Sequence, residues 1–526
     1  MLTEFIRFVV HPLHVLIFLP LVGAGFIAFI KHEKRIRQVA IGTTVATFLA
    51  SLWVWKVFVS APADNYGFRL NYGVPWFKEL GVAWYTGIDG ISLALILLTT
   101  VVSISAAISS RSIDSKLRMY YILFLLLITS LLGVLVARDY FLFFVFWELM
   151  LLPMYFLIGI WGGKRRIYAS IKFFLYTLVG SVLLLIAILA LHWSAPEIGF
   201  GISQLAEKGA TLPIKGAGLA TQTTLFLLFF FGFGVKVPIV PFHTWLPDAH
   251  VQAPTPISMM LAAVLLKMGT YGFVRILLPT VPGAFHDLSG IAVPLVATVG
   301  VVSMLYGALV AMAQKDWKSM VAYSSISHMG YLVFALATNT ELGLSAAMFI
   351  MISHGLISAC MFHLVGVIYE RTHNRNLLAY GGLGALLPGY FTIWIFVGMA
   401  NLGLPGLSGF WGEFMTFVAA FSNHHWMVTS GLFAGMNFFR VLSAFGVITI
   451  VVTAAYMILM IQRIFMGPLN EKWADLKDMT KTEKWTIIPL MALILLFGIW
   501  PQGLVSLYAE TTRALATNLG FLIAGS

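Results

Sequence analysis

The sequence predicts an all-α polytopic membrane protein with about fourteen transmembrane helices. Of its 526 residues, 60% are hydrophobic and only 10% are charged, whereas roughly 25% of the residues of a soluble protein are charged. The hydrophobic residues fall into runs of about 20, the length that crosses a bilayer as a helix. Basic residues are concentrated in every second loop between these runs, which is typical of an integral membrane protein.

The apolar runs give the predicted spans in chain order. We interpret the first, at residues 13–30, as a span because neither an upstream basic cluster nor a small-residue cleavage site accompanies it. The start of the tenth predicted span is not well defined, because several serines precede it. The predicted spans are centred near Val22, Thr47, Leu98, Leu127, Leu151, Leu183, Phe230, Val264, Gly300, Tyr331, Leu356, Met399, Val451 and Leu493.

The distribution of lysine and arginine predicts the orientation. The even-numbered loops hold fewer basic residues than the odd-numbered loops, which contain the clusters at residues 31–37, 111–118, 164–166, 315–318, 371–375 and 463–484. The positive-inside rule places the odd loops in the cytoplasm and both termini outside, and we expect a bacterial inner membrane. These loops also explain the net charge of +11, so no nucleic-acid partner is predicted.

Outside the spans, the sequence predicts little further structure. The long outer loops at residues 56–87 and 192–222 are expected to be the least ordered parts, without a separate soluble domain. The residues after Pro501 suit a short interfacial helix. The single cysteine, Cys360, excludes an iron–sulfur cluster, a cysteine-based zinc site and an internal disulfide on this chain alone.

Ionisable residues in the middle of apolar spans are the first candidate functional residues. A charge at this depth is costly and usually faces a polar interior. A single Glu–Lys pair is consistent with an ion pair that locks two helices together. Titratable groups on six spans instead favour a conduction path for protons, because such groups shift one another's charge state. The residues are Glu148, Lys236, Lys267, His328, His354, His363 and Glu413.

Two of these spans are interrupted beside a charge. Pro238 and Pro241 follow Lys236, and Pro405, among several glycines, precedes Glu413. Proline removes a backbone donor, and a break at membrane depth is tolerated where it is buried in protein or lines a wet cavity. A plain proline kink would need no neighbouring charge. Paired breaks in the two halves of a transporter indicate inverted repeats and an ion site.

Metal, nucleotide and redox sites are not predicted. His354 and His363 lie nine positions apart, on opposite faces of one helix, and the adjacent His424 and His425 also diverge. The sequence contains no P-loop and no glycine-rich dinucleotide loop after a strand. We therefore expect no cofactor and no metal on this chain, so that an ion gradient or a partner complex must supply the drive.

Three motifs carry a resemblance to a known family. "FWELMLLPMYFLIGIWGG", "VKVPIVPFHTWLPDAHVQAPTPISMMLAAVLLKMGTYG" and "AQKDWKSMVAYSSISHMGY" resemble the antiporter-like membrane subunits of complex I, the proton-pumping NADH:quinone oxidoreductase. The resemblance covers roughly residues 89–501. Within complex I it is strongest to the branch called chain 4 or subunit M, because Glu413 is an acid where sister subunits have lysine and the chain ends soon after its last span.

The resemblance implies a division of the chain. It implies discontinuous helices near Pro238 and Pro405 and two inverted five-helix repeats. The predicted segments are N-terminal transmembrane helices at residues 1–110, a first antiporter-like repeat at 111–285, a second at 286–465, and the last helix with a short tail at 466–526.

The resemblance also implies site residues and partners. Glu148 is expected to pair with Lys236. A proton path is expected to continue from this pair through Lys267, His328 and His354. It is expected to end near Glu413. The implied partners are the other membrane-arm subunits of complex I, including sister antiporter-like subunits on either side, together with lipids and the transported protons.

Loop parity places "HTWLPDAH", which follows the break at Pro238 and Pro241, on the cytoplasmic side. His243, Asp248 and His250 are therefore candidates for the entrance of the path, and ordinary loop contacts are the alternative. The sequence leaves both open.

Three functions are compatible with these patterns. The first is a non-redox, proton-translocating subunit of an NADH:quinone oxidoreductase, which is a translocase. The second is a subunit of a multisubunit cation/proton antiporter or membrane-bound hydrogenase. The third is a membrane scaffold whose buried charges only hold helices together.

Overall fold

The computed structural model describes residues 2–216, 218–287, 289–424, 426–428 and 434–521, and it is mostly helical. Within these residues, twelve helices are long and apolar enough to cross a membrane. They are Pro12–Phe29, Glu33–Ser60, Gly90–Ser112, Leu117–Val136, Tyr140–Trp161, Arg166–Trp193, Thr255–Thr280, Ala292–Ala313, Trp317–Ala337, Glu341–Thr372, Phe438–Phe465 and Lys481–Ile499.

Two further predicted spans are each divided by a break. Gln222–Lys236 ends before Pro238, and the chain resumes as the short helix Trp245–Gln252. Pro388–Asn401 and Ser408–Ser422 flank the second break. Every predicted span centre lies in one of these helices or in one of the twelve continuous ones, which confirms the predicted fold class. The division into two inverted repeats stays a prediction.

The first break is stabilised by a side chain that replaces a lost helical hydrogen bond. The Trp245 indole N–H donates to the Val235 carbonyl at 2.8 Å. That carbonyl would otherwise accept from the backbone of Ile239, whose N–H instead reaches Gly234. A carbonyl freed inside a membrane needs such a partner.

The first long outer loop departs from the all-α prediction. Arg69–Phe77 and Val82–Ile88 form an antiparallel β-hairpin. The side of the membrane that carries this hairpin is called the hairpin side below. The second long loop contains the helix Ile202–Thr211. The prediction that both loops would be the least ordered parts was wrong, because buried contacts with the spans organise them.

The hairpin is held by a clamp of two arginines on one phenylalanine. Arg138 forms an ion pair with Asp64, and its guanidinium lies 3.8 Å from the Phe68 ring centroid. Arg275 approaches the same ring at 4.1 Å and forms an ion pair with the fully buried Asp89. The clamp thus joins the hairpin to three membrane helices.

The C-terminal residues form the helix Pro501–Asn518, as predicted. One face of it packs against the protein. The backbone N–H of Gly90 donates to the Thr511 hydroxyl at 3.1 Å, and a Cβ at Gly90 would lie 2.2 Å from the Leu507 carbonyl oxygen. The close approach of the two helices therefore requires glycine at this position.

We predict that Asp64→Ala opens the hairpin. The substitution leaves the Arg138 side chain, which is 1% exposed, without its acid, and breaking a buried pair in this way costs about 3 kcal/mol. Proteolysis of residues 61–88 in the purified protein should accelerate by about 100-fold. Glu79→Ala, at the exposed hairpin tip, is the matched control and should leave the rate unchanged.

The same clamp predicts a dependence on pH. Burial acts to raise the pKa of Asp64, but hydrogen bonds from Arg138 and the backbone outweigh it and hold that pKa below its usual value. A lowered carboxyl pKa stabilises the folded form at neutral pH, and this stabilisation is lost as the pH falls through the lowered pKa. Acid should therefore accelerate wild-type hairpin proteolysis and leave Asp64→Ala comparatively insensitive.

Candidate functional site

Lys267 lies at the centre of the buried ionisable residues. Its helix, Thr255–Thr280, contains a π-helical turn at Leu261–Leu265, a feature that often marks functional sites. The Lys267 ammonium donates to the Ala262 carbonyl at 2.7 Å and lies 2.7 Å from His354 Nδ1. Lys267 is fully buried and has no acidic partner among the described residues. Its hydrogen-bond partner is thus a second titratable group.

His354 leads to His328 on the neighbouring helix. Their ring centroids are 5.3 Å apart, and neither Nε2 atom has a partner in the described part of the chain. A small cavity beside both rings, lined also by Ser353 and Asn401, leaves room for about one water molecule. One water there would complete a hydrogen-bonded connection between the two histidines.

The row ends at Glu413. Its Oε1 atom lies 3.3 Å from His328 Nδ1, on the helix that follows the second break. Gly403 in that break has φ +76, and a Cβ there would lie 3.0 Å from Glu413 Oε2. The break therefore brings glycine backbone against the carboxylate, which accounts for the proximity of break and charge in the sequence. A larger cavity of about 540 Å³ extends from Glu413 to His424.

Lys236 lies at the end of the helix before the first break and is 1% exposed. Its ammonium is 3.6 Å from the Trp147 ring centroid and 3.3 Å from Met150 Sδ. The implied ion pair with Glu148 is not formed. Trp147 and Met150 share one face of their helix, whereas residue 148 points about 100° away. Glu148 is half-buried, and its Oε1 atom has no partner among the described residues.

Backbone packing brings the two lysines' helices together. A Cβ at Gly269, two residues after Lys267, would lie 2.9 Å from the Val237 backbone nitrogen, next to Lys236. A Cβ at Gly355, next to His354, would lie 3.0 Å from the Ala263 carbonyl oxygen in the π-helical turn. Small residues thus allow the break, the π-helical turn and the histidine helix to pack closely.

The three entrance candidates divide into two groups. Asp248 is partly exposed and forms an ion pair with Lys172 at 2.7 Å, whereas His243 is buried and neither of its ring nitrogens has a partner among the described residues. His250 is fully buried and stacks on Phe362 at 4.3 Å. Both ring nitrogens of His250 are without partners among the described residues. Asp248 therefore lies toward the surface, whereas His250 lies in the interior.

Two lysines were missed as candidates by the sequence analysis. Lys172 lies in the apolar run of the helix Arg166–Trp193. Its isolated charge in that run could have identified it as a candidate. Lys318 was interpreted as a loop residue, but it is buried and donates to the Ala253 carbonyl. These two lysines are buried by helices that are distant in the chain, and the sequence around each lysine does not indicate that packing.

His363 lies apart from the row. Its Nδ1 atom is 3.2 Å from the Ser109 hydroxyl, and its Nε2 atom is 3.2 Å from the Glu483 carbonyl oxygen. Glu483 is itself paired with Arg111 and Arg371. The partners of His363 are thus Ser109 and Glu483, and neither of them belongs to the row that contains His354. Of the two adjacent histidines considered for a metal, His425 lies outside the described residues.

Comparison with known proteins gives the family. The chain matches the family described as NADH:quinone oxidoreductase/Mrp antiporter, TM, over residues 137–438. It is 40% identical over 517 residues to NADH-quinone oxidoreductase subunit M of Rhodobacter capsulatus, with 96% of each chain covered. It is 37% identical to NAD(P)H-quinone oxidoreductase chain 4 2 of Thermosynechococcus vestitus, with 96% of this chain and 92% of that one covered.

Solved structures agree with this assignment. A chain of respiratory complex I from Thermus thermophilus superposes with a TM-score of 0.83 at 28% identity, covering 96% of this chain and 99% of that chain. A chain of the Mrp complex from Dietzia superposes with a TM-score of 0.79 at 21% identity, over 96% and 97%, and shares the fold. The chain therefore belongs to the NADH:quinone oxidoreductase/Mrp antiporter family of membrane subunits, in the branch called subunit M or chain 4.

Proposed function

We propose that this chain is a proton-translocating subunit in the membrane arm of an NADH:quinone oxidoreductase. The observation that carries the proposal is the buried row from Lys267 through His354 and His328 to Glu413. Each neighbour in the row is another titratable group, within hydrogen-bonding distance or about one water away. Such a row can pass a proton from one member to the next.

The chemistry of the row requires no cofactor on this chain. A proton on the Lys267 ammonium can move to His354 Nδ1 along their 2.7 Å contact. A water beside both histidines would relay it to His328, and the contact between His328 and Glu413 would carry it to the carboxylate. The cavity beyond Glu413 then offers it a way out of the row.

Control of the row is assigned to Lys236 and Glu148. Two unit charges about 4 Å apart interact by about 4 kcal/mol in a protein of effective dielectric constant 20. Moving one charge by a few Å therefore changes which member of the row binds the proton most strongly. Lys236 lies on Trp147 without an acid, and Glu148 directly follows Trp147 in the chain. Exchange of Lys236 between Trp147 and Glu148 would switch the field on Lys267.

The drive is assigned to redox chemistry in partner subunits. The Glu413 side chain is 12% exposed and adjoins Phe414, which is 48% exposed. Lipid tails against a carboxylate at this depth would be costly, so we assign this face to a sister antiporter-like subunit. The odd loops and the Lys172–Asp248 pair are assigned to the cytoplasm, with both termini outside.

Lys236→Ala tests control of the row. We expect proton pumping driven by NADH oxidation to fall by at least about tenfold, since a positioned proton-transfer group contributes about 10²–10⁴. Pumping is measured by a pH-sensitive dye in inverted vesicles, with assembly checked by native electrophoresis. Lys477→Ala, at an exposed loop position, serves as control. An assembled Lys236→Ala complex that pumped at the wild-type rate would exclude control of the row by Lys236.

Glu413→Gln tests the end of the row. The amide keeps the shape of the side chain but cannot take up a proton, so pumping should fall by at least about tenfold. Glu413→Asp should retain more of the activity, because it remains an acid. Glu471→Gln, exposed in a loop, should pump normally. Equal pumping by wild type and Glu413→Gln would remove this residue from the path.

A further inference from the structure

An apolar groove lies on the face of the Glu341–Thr372 helix opposite His354, where Ile352 and Leu356 line it. It is enclosed by the helices Glu33–Ser60, Gly90–Ser109, Glu341–Thr372 and Lys481–Ile499 and by the C-terminal helix. Its volume is about 320 Å³. Its wall consists of hydrophobic side chains and one glycine, and includes Phe48, Leu52, Leu97, Val101, Leu493 and Phe497.

The groove runs along the membrane normal through the half of the membrane nearest the hairpin side. Phe48 and Trp55, seven residues apart on one helix, line it, and they are separated by about 10 Å of helix rise. The deep end is wholly apolar. Trp55 and Trp500 stand at the outer end and are 38% and 58% exposed. The groove is therefore apolar at its deep end and carries tryptophans at its outer end, as one leaflet of a bilayer is apolar inside and polar at its headgroups.

The outer end presents unused hydrogen-bond donors. No hydrogen bond of the Trp55 or Trp500 indole occurs within the part of the chain that the structure describes. The exposed Lys56 adjoins Trp55 in the sequence. Tryptophan prefers the level of lipid headgroups, and basic residues there attract anionic lipids. This end thus suits a phosphate group.

The depth of the groove indicates the kind of occupant. Half of the hydrocarbon core of a bilayer is about 15 Å thick. A phospholipid places one end of its acyl chain at the headgroups and the other end near the middle of the bilayer, so one acyl chain matches the depth of the groove.

We propose that this groove binds one phospholipid, with an acyl chain between the helices and its phosphate at Trp55, Lys56 and Trp500. The lipid would fill the space between the N-terminal helix Glu33–Ser60 and the last span. This role is independent of the ionisable row, and the groove contains none of its residues.

The test uses the intact complex and a phospholipid with a photoreactive diazirine at the middle of one acyl chain. The complex is incubated with the probe, washed extensively with lipid-free detergent and irradiated, and the labelled residues are mapped by mass spectrometry. We expect label on peptides containing Leu97 and Leu493. Val451, which is 67% exposed and outside the groove, should lose its label on washing. Equal labelling of both regions, or no label in the groove, would overturn the proposal.

A matched pair of variants tests the same site without a probe. Leu97→Trp fills the groove, whereas Leu495→Trp adds the same side chain at an exposed position outside its wall. Native mass spectrometry should find about one phospholipid fewer per complex in Leu97→Trp only. Lys56→Gln should lower retention of anionic phospholipid by about fivefold. Unchanged lipid content in Leu97→Trp, or a cross-link from the groove to another protein chain, would contradict the assignment.

Discussion

Taking a charged side chain out of water costs several kcal/mol even after the protein relaxes around it. In the membrane interior this cost governs where each ionisable side chain of this chain lies. Lys236 is placed on the Trp147 ring and Lys267 against the Ala262 carbonyl and His354. Glu413 is placed beside His328. The breaks, the π-helical turn and the close glycine contacts exist where these groups need polar backbone or space.

The buried arginines and lysines meet this constraint in different ways. Arg138 and Arg275 each have a carboxylate, and arginine keeps its charge under all ordinary conditions. These pairs are fixed and hold the hairpin against the spans. Lys236 and Lys267 form no ion pair within the described residues, and lysine can release its proton when buried. The scaffold hypothesis therefore accounts for the arginine clamp, whereas these two lysines lack such a carboxylate among the described residues.

The two breaks serve different ends of this arrangement. At the first, the helix stops directly after Lys236, and Trp245 satisfies a freed carbonyl. At the second, Gly403 allows the backbone to approach the Glu413 carboxylate. The first break thus places Lys236 at the end of a helix, and the second gives an acid a polar neighbour. Residues 236–239 at the first break are buried, whereas residues 404–406 at the second break are exposed on this chain.

The sequence by itself determined the spans, the breaks and the chemical identity of the row. Hydrocarbon thickness fixes the length of an apolar run, proline and glycine mark breaks locally, and a charge in such a run is visible without any partner. The three quoted motifs together sufficed for the family. Each of these signals depends only on residues close together in the chain, so it can be recognised from the sequence alone.

Only the tertiary structure decided which side chains meet. Lys236 contacts Trp147 and not Glu148, because helix geometry turns residue 148 away. Lys172 joins Asp248 across 76 positions, and the hairpin is ordered by Arg138 and Arg275 from later helices. His250 is interior while Asp248 is near the surface. These outcomes depend on the packing of segments distant in the chain, for which a single sequence carries no local signal.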